Sequence, residues 1–217
     1  MAKATEDKKK KIMTPEGRLI NGSLWTKDVY TPERGKEGTP QYKVEMAFNP
    51  DDLEELENAI VACAVEEWGE DAEQEYDDGD IRSPILDGDE MAKKREKKGK
   101  SGEAYQGFDV IRAATIYNAF GDDDSGGIYV ADAAAEQMTF EERGKVYNGS
   151  YGIAILTPNA YEMEGRDGTV RGVSLYLQAY QFTRDGDPLR GSNAGASMFT
   201  SKVNEESEGK GRRRRGK

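Results

Sequence analysis

Residues 172–184 read GVSLYLQAYQFTR and form the second of two strands expected between Lys145 and Gly191. Aliphatic or small side chains occupy every second position from Val173 to Ala179. The positions between and beyond them carry Ser174, Tyr176, Gln178, Tyr180 and Phe182. Alternation with a period of two over this length predicts a strand with two unlike faces.

The aromatic face of this strand has two possible interpretations. Water-facing strands seldom present a row such as Tyr176, Tyr180 and Phe182, because contiguous exposed apolar surface usually serves a purpose. The row can pack inside a sheet that is covered on both faces. It can also form a platform for unpaired nucleic-acid bases, where each base–aromatic contact contributes ~1–3 kcal/mol. The pattern alone leaves both interpretations open.

Length and composition indicate the size of the hydrophobic core and the cellular compartment of the protein. The 217 residues and 24.0 kDa suit one domain with tails. With 35% hydrophobic and 34% charged residues, the core is modest and part of the charge is expected in mobile segments. No apolar run approaches the ~20 residues that span a bilayer, so we expect a soluble, cytoplasmic protein with no membrane partner.

Two residue counts exclude common catalytic centres. The chain has no histidine, which excludes Ser-His-Asp and Cys-His catalysis and zinc sites with a histidine ligand. Cys63 is the single cysteine, so neither an intrachain disulfide nor a multi-cysteine metal site can form. We therefore expect no cofactor and no bound metal.

The net charge of −11 comes mainly from one segment. Fourteen of the 42 acidic residues lie between Asn49 and Ile81, where there is no Lys or Arg, so the rest of the chain is slightly basic. Binding to phosphate depends on the local potential within ~8–10 Å rather than on total charge. The acidic total therefore does not exclude a nucleic-acid partner.

The remaining pattern predicts a mainly β domain. Further strands are expected over 17–30, 42–48 and 108–120, and the only clear helix at 51–68, where Asn49 and Pro50 provide a start signal. Strands that do not alternate with helices favour an antiparallel sheet closed into a small barrel, with a sandwich as the alternative.

The segments outside these elements define the expected organisation. Residues 1–13 are predicted to be a disordered basic leader, 14–191 the folded domain, and 192–217 a flexible tail with a basic end. Within the domain, residues 70–107 are predicted to be a flexible loop that ends in the basic run Lys93–Lys100. This run can be a solvated loop or a flap that closes over a bound strand.

Several short segments occur together in a familiar order. They are Gly17-Arg18-Leu19, Pro84 to Asp89, Phe108 to Thr115, Tyr147 to Tyr151, Gly172 to Gln178 and Arg184 to Leu189. Over residues 14–191 the chain resembles bacteriophage single-stranded DNA-binding proteins with an OB fold. The resemblance implies a five-stranded antiparallel barrel with one helix after the second strand, long loops and disordered termini. It also implies binding of single-stranded DNA in phage replication or recombination, without catalysis. Because stacking tolerates any base and phosphate contacts carry no sequence information, this binding should be independent of sequence. Other replication proteins and further copies of the chain are additional expected partners.

Such binding needs aromatic rings for bases and cations for phosphates. The candidate rings are Trp25, Tyr30, Tyr117, Tyr147, Tyr151, Tyr176, Tyr180 and Phe182. The candidate cations are Arg18, Lys27, Lys43, Lys93, Lys94, Arg112, Arg171, Arg184 and Arg190. Each ring can instead belong to the core, and Arg112 can instead form a structural ion pair.

Two other function classes remain as alternatives. A β-rich virion or assembly protein would account for the strands but not for the basic run and the basic tail together. A Mg²⁺-dependent nuclease would need paired carboxylates, and acidic clusters occur at Asp77–Asp80 with Asp87 and Asp89, and at Asp122–Asp124. Turns favour Asp for backbone reasons alone, and the chain contains no P-loop motif.

The basic end of the chain gives a first prediction. Related phage proteins commonly end in an acidic tail, whereas Arg212–Arg215 reverse the charge here. Deleting residues 209–217 should weaken binding to single-stranded DNA and reduce its salt dependence, by a slope of about 0.7 for each phosphate that these residues neutralise. Titration of a labelled oligonucleotide over a salt series measures both quantities. An unchanged affinity and slope would show that the tail does not bind DNA.

Overall fold

The computed structural model describes residues 10–29, 38–117, 127–165 and 168–189. The candidate residues Tyr30 and Arg190 lie outside these ranges, as do most of the predicted leader, the predicted tail and the acidic cluster Asp122–Asp124.

Strands dominate the described residues, and three α-helices lie between them. The strands are β1 (Ile12–Met13), β2 (Gly17–Asp28), β3 (Gln41–Phe48), β4 (Ile81–Arg82), β5 (Ile85–Asp87), β6 (Asp109–Thr115), β7 (Tyr129–Ala131), β8 (Tyr151–Gly165) and β9 (Gly168–Arg184). The helices are α1 (Glu54–Trp68), α2 (Asp71–Asp77) and α3 (Gly88–Glu96), with short 3₁₀ helices at Pro50–Asp52 and Phe140–Lys145. The predicted mainly β class is confirmed.

Five of the strands pair in a closed ring in the order β2, β3, β6, β9, β8 and back to β2. The sequence pattern predicted a fully antiparallel sheet, and the ring departs from this at one pair. β9 runs parallel to β6, with Ala113 opposite Leu175, and also parallel to β4 and β7. No hairpin joins β6 to β9, because β7 and β8 lie between them in the chain, and this long connection permits parallel pairing.

The β8–β9 hairpin contains two irregularities that reverse its faces. Along β8, Ile155 pairs with Ala179 but the next residue pairs with Leu177, which leaves Gln178 as an extra residue in β9. A second shift leaves Thr183 as an extra residue near the end of the strand. Such bulges change which face of the sheet the following side chains occupy.

This reversal corrects the predicted aromatic row. Before the bulge, Leu175 and Leu177 point to the core and Tyr176 is exposed. After it, Tyr180 is buried at 1% exposure, and Phe182 is half-buried and packed against the core. Tyr180 and Phe182 are therefore core residues, and the prediction that they contact bases is wrong for Tyr180 and unsupported by the packing of Phe182.

Helix α1 follows the predicted pattern and closes the main core. Leu56, Ile60 and Ala64 recur at helical spacing and are buried, and α1 lies against β8 and β9. The preceding turn contains Pro50, whose fixed φ suits the start of a helical segment. The helix follows β3, the second of the long strands.

Residues 70–107 were predicted to be a structureless loop, and the structure contradicts this. They contain α2, β4, β5 and α3. Met91, Ala92 and Tyr105 form a second core with Ile20 and Val110 on the outer face of the β2–β3–β6 sheet. The charges between these few apolar residues hid their helical spacing. The lysine run therefore belongs to a packed helix and the turn after it.

The first described residues also belong to the domain. Ile12 is buried and pairs with Leu156, and Met13 pairs with Ile155, so the sheet already includes residues that were assigned to the leader. Among the described residues, no helix is long and apolar enough to cross a membrane.

The bulge in β9 predicts that two tyrosines on one strand contribute very different amounts to stability. Tyr180→Ala should reduce the free energy of unfolding by about 3–5 kcal/mol, because it removes a buried ring and leaves a cavity. Tyr176→Ala, at an exposed position of the same strand, should change it by less than about 0.5 kcal/mol. Urea unfolding of both variants measures these changes. Equal losses would contradict the reversal of faces at Gln178.

Candidate nucleic-acid interface

An open groove of about 810 Å³ crosses the sheet along β3, β6 and β9. The pairings of Val44 with Ala113 and of Ala113 with Leu175 set these three strands side by side beneath it. Four of the predicted site residues line this groove, namely Lys43, Arg112, Tyr117 and Tyr176. The strand pairing therefore brings together residues that are far apart in the sequence.

Two of the tyrosines in the groove are well exposed. Tyr117, just beyond the end of β6, is 74% exposed, and Tyr176 on β9 is 42% exposed. Tyr161 on β8 also lines the groove and lies opposite Gly172. A Cβ atom at Gly172 would lie 2.6 Å from the Tyr161 hydroxyl oxygen, so a glycine is required for the ring to sit there.

The two cations of the groove each have an acidic partner. Arg112 Nη2 lies 3.0 Å from Glu45 Oε1, across the β3–β6 pair, and Arg112 Nε donates to the same oxygen at 3.3 Å. Lys43 forms an ion pair with Asp28 of β2, and Lys43 holds the pKa of the Asp28 carboxyl below its ordinary value. The expectation that Arg112 can form a structural ion pair is confirmed.

A second hollow, of about 420 Å³, continues from the groove along α3. Arg112 and Leu86 line both the groove and the second hollow, so the two hollows adjoin each other on one surface. The second hollow is bordered by Lys94, Arg95, Lys98 and Lys100. We call these four residues together with the exposed Lys93 the α3 rim. The predicted residue Lys94 therefore lies beside the groove, and Lys93 precedes it on the same helix.

Asp87 and Asp89 hold α3 in this position. The Asp87 carboxylate accepts a hydrogen bond from Glu90 N at 3.0 Å at the start of the helix. The Asp89 carboxylate accepts one from Gly107 N at 2.9 Å, which attaches the turn after α3 to its first residues. These contacts give the carboxylates a structural role. In the described parts of the chain, no group of three or more acidic or cysteine side chains could hold a metal ion.

Four other candidates meet at the end of β9 rather than in the groove. Arg184 stacks on Tyr151, with 3.5 Å between the guanidinium carbon and the ring centroid, and pairs with Glu16 at 2.8 Å. Arg18 donates to the Asp187 carbonyl at 2.8 Å, and the Tyr147 hydroxyl donates to the Gly186 carbonyl at 2.8 Å. These side chains hold residues 185–187 against β2 and β8.

The last three candidates are scattered. Trp25 lines a separate small cleft of about 240 Å³ beside Phe140 and Arg143. Lys27 lies over the buried Tyr42 ring, with 5.5 Å to the centroid. Arg171 pairs with Glu75 of α2 at 2.7 Å and lies over the Trp68 ring. None of these three lines the groove.

The sequence prediction missed several residues of the groove and its rim. Tyr161, Leu86 and Arg95 line these surfaces but were not candidates. A glycine within a strand was the available signal for Tyr161, since Gly172 interrupts β9 directly opposite it. Arg95 lies within the basic run Lys93–Lys100, which was a signal for it, whereas Leu86 had none because its position depends on how α3 packs.

The cluster at the end of β9 predicts a pH-dependent contribution to stability. The hydrogen bond from Thr183 and the charge of Arg184 hold the pKa of the Glu16 carboxyl below its ordinary value of 4.5. The ionised carboxylate therefore stabilises the fold fully above about pH 4.5, and this contribution is lost as the pH falls through the lowered pKa. Glu16→Gln should lower Tm at pH 7, and the difference from the unaltered chain should shrink at pH 3. A difference that grows on acidification would contradict this assignment.

Solved structures that are similar to this chain include single-stranded DNA-binding proteins of bacteriophages. The single-stranded DNA-binding protein from bacteriophage Enc34 is 15% identical, with a TM-score of 0.55 over 86% of this chain and 88% of that one. The structure of that protein in complex with single-stranded DNA is 16% identical to this chain, with a TM-score of 0.53 over 82% of this chain and 89% of that one. The gp2.5 single-stranded DNA-binding protein of bacteriophage T7 is 14% identical, with a TM-score of 0.51 over 94% of this chain and 100% of that one. At these identities the structures show a shared fold.

Sequence comparison identifies the family. No curated protein sequence matches the chain. A family model described as Enterobacter phage Enc34, ssDNA-binding protein matches residues 11–209. This description names a binding activity and no reaction, in agreement with the expectation that the chain is not an enzyme. Because the match covers most of its length, the chain belongs to the Enc34 single-stranded DNA-binding protein family.

Proposed function

We propose that this chain binds single-stranded DNA without sequence preference and protects it during phage DNA replication or recombination in the host cytoplasm. One observation carries the proposal. Tyr117 and Tyr176 stand exposed in a groove that opens directly onto the α3 rim. Membership of the Enc34 family and the likeness to a protein solved with single-stranded DNA support it.

In this proposal the groove holds the bases. The exposed rings of Tyr117 and Tyr176 offer flat apolar surfaces, and stacking on them tolerates any base because every base has a π-face. Tyr161 lies in the same groove and can contact a neighbouring base or sugar. Paired bases in a duplex are already stacked and cannot enter in this way, so the groove should prefer single strands.

The α3 rim is proposed to hold the phosphates. Lys93, Lys98 and Lys100 are exposed, and Lys94 is an exposed residue paired with Glu90 on the same helix. Exposed pairs of this kind contribute little to stability, so a phosphate can replace the carboxylate at low cost. Contacts of this type carry no sequence information and weaken as salt rises.

The ring of five strands is proposed to be an OB fold. Its strand order, with the long β8–β9 hairpin closing on β2 and β6, supports this assignment, as does the likeness to phage single-stranded DNA-binding proteins. The DNA groove would then run across the face of the barrel. Other replication proteins and further copies of the chain remain proposed partners.

The groove predicts which tyrosines matter for binding. Tyr117→Ala and Tyr176→Ala should each weaken binding of a single-stranded oligonucleotide by about 1–3 kcal/mol, which is about 5- to 150-fold, because each removes one stacking surface. Fluorescence anisotropy with a labelled oligonucleotide measures the change.

Tyr129→Ala is the matched control. Tyr129 is 39% exposed, close to the 42% of Tyr176, and lies on β7, which pairs with β9 outside the groove. Its replacement should leave the affinity within twofold, on the order of 0.4 kcal/mol. Equal losses for Tyr129 and Tyr176, or no loss for either groove tyrosine, would contradict the placement of the bases.

A further inference from the structure

The cations of the groove are arranged differently from those of the α3 rim. Both groove cations, Lys43 and Arg112, are paired with carboxylates from neighbouring strands, so the groove has little net charge at its floor. Of the rim lysines, Lys94 pairs with Glu90 on its own helix, and Lys98 and Lys100 are exposed to solvent. Charge is thus neutralised where the bases are proposed to lie and retained where the phosphates are proposed to lie.

Glu45 is the least exposed of the acids that pair with these cations. Its side chain is only 13% exposed, whereas that of its partner Arg112 is 59% exposed. The carboxylate is therefore more buried than the guanidinium that it pairs with. It lines the groove, and the buried Tyr105 lies close to it on the side of the second core. Water screens such a carboxylate less than it screens a fully exposed one, so its charge acts strongly on nearby anions.

The contact leaves part of Arg112 available. Nε and Nη2 both donate to the same Glu45 oxygen, which occupies one edge of the planar guanidinium. The Arg112 side chain is still 59% exposed and lines the groove, so an aromatic base can reach the guanidinium and stack on its plane. Stacking on the plane is compatible with the paired charge, whereas a phosphate would be repelled by the paired carboxylate.

We propose that Glu45 determines specificity, because its carboxylate cancels the charge of Arg112 and so makes the groove select unpaired bases over phosphates. This inference rests on the proposed function of the chain. A single strand still gains base stacking in the groove. A duplex presents mainly phosphates and gains only electrostatic attraction, so the Glu45 carboxylate weakens the binding of duplex DNA selectively.

Glu45→Gln tests this role, since Gln is of similar size and its carbonyl can still accept the hydrogen bonds of Arg112. Binding of a single-stranded oligonucleotide and of a duplex of the same length is measured between 50 and 200 mM salt. The affinity for the duplex should rise, and its salt slope should increase by about 0.9, the value for about one additional phosphate contact. The loss of duplex affinity between 50 and 200 mM salt should then be roughly threefold larger than in the unaltered chain. The affinity for the single strand should stay within twofold. The preference for single strands should therefore fall, and the fall should be about threefold larger at 50 mM than at 200 mM salt.

Three variants serve as controls. Glu75→Gln removes an acid that pairs with Arg171 outside the groove, and it should leave the preference unchanged. Adding Arg112→Gln to Glu45→Gln removes the released cation and should restore the preference. Asp28→Asn releases Lys43 in the same way at an exposed pair, and it should lower the preference even if Glu45→Gln proves unstable in a thermal melt.

Three results would overturn the inference. An equal rise for both substrates would mean that Arg112 contacts phosphate in each complex. A loss of single-strand affinity in Glu45→Gln would mean that Glu45 serves to position Arg112, and an unchanged preference would mean that its charge has no part in selection. If the unaltered chain bound no single strand at all, the proposed function itself would be wrong.

Discussion

The pairing of β9 with its neighbours is the interaction on which the rest of the structure depends. β9 is hydrogen-bonded to β8 along most of its length, and its parallel pairing with β6 closes the ring of five strands. Without that pairing, β9 would not lie beside β6, and the groove would lose one wall. The same strand also pairs with β4 and β7, so it connects the helical insertion and the segment before β8 to one sheet.

The bulge at Gln178 divides β9 into two parts with different tasks. In the first part the leucines face the core and Tyr176 faces the groove. In the second part the aromatic side chains turn inward, and Tyr180 completes the core against Gly152, where a Cβ would lie 2.2 Å from the tyrosine hydroxyl. One extra residue thus ends the aromatic surface of the groove and begins the aromatic part of the core.

Sequence reasoning succeeded where a local pattern decides the structure. The spacing of Leu56 and Ile60 gives α1, and alternation gives β3 and β9, because these patterns reflect a single buried face. It failed where the decisive contact is distant. The bulge at Gln178 is set by pairing with β8, and the second core beneath α3 depends on Tyr105 meeting Ile20. Hence Tyr180 was wrongly assigned to the DNA surface, and four of the fifteen candidate residues that the structure describes line the groove.

The electrostatic character of the groove follows from strand pairing rather than from composition. Glu45 lies opposite Arg112 because β3 and β6 pair in that register, and one such cross-strand pair contributes only about 0.2–1 kcal/mol to the sheet. The carboxylate has a larger effect on an incoming anion than on the stability of the sheet, because it is poorly exposed and lines the groove that the anion would meet. On the proposed function, a chain with a net charge of −11 thus presents a rim that attracts a polyanion and a groove that does not. A strand of DNA drawn to the α3 rim by its phosphates would then gain most by turning its bases toward Tyr117 and Tyr176.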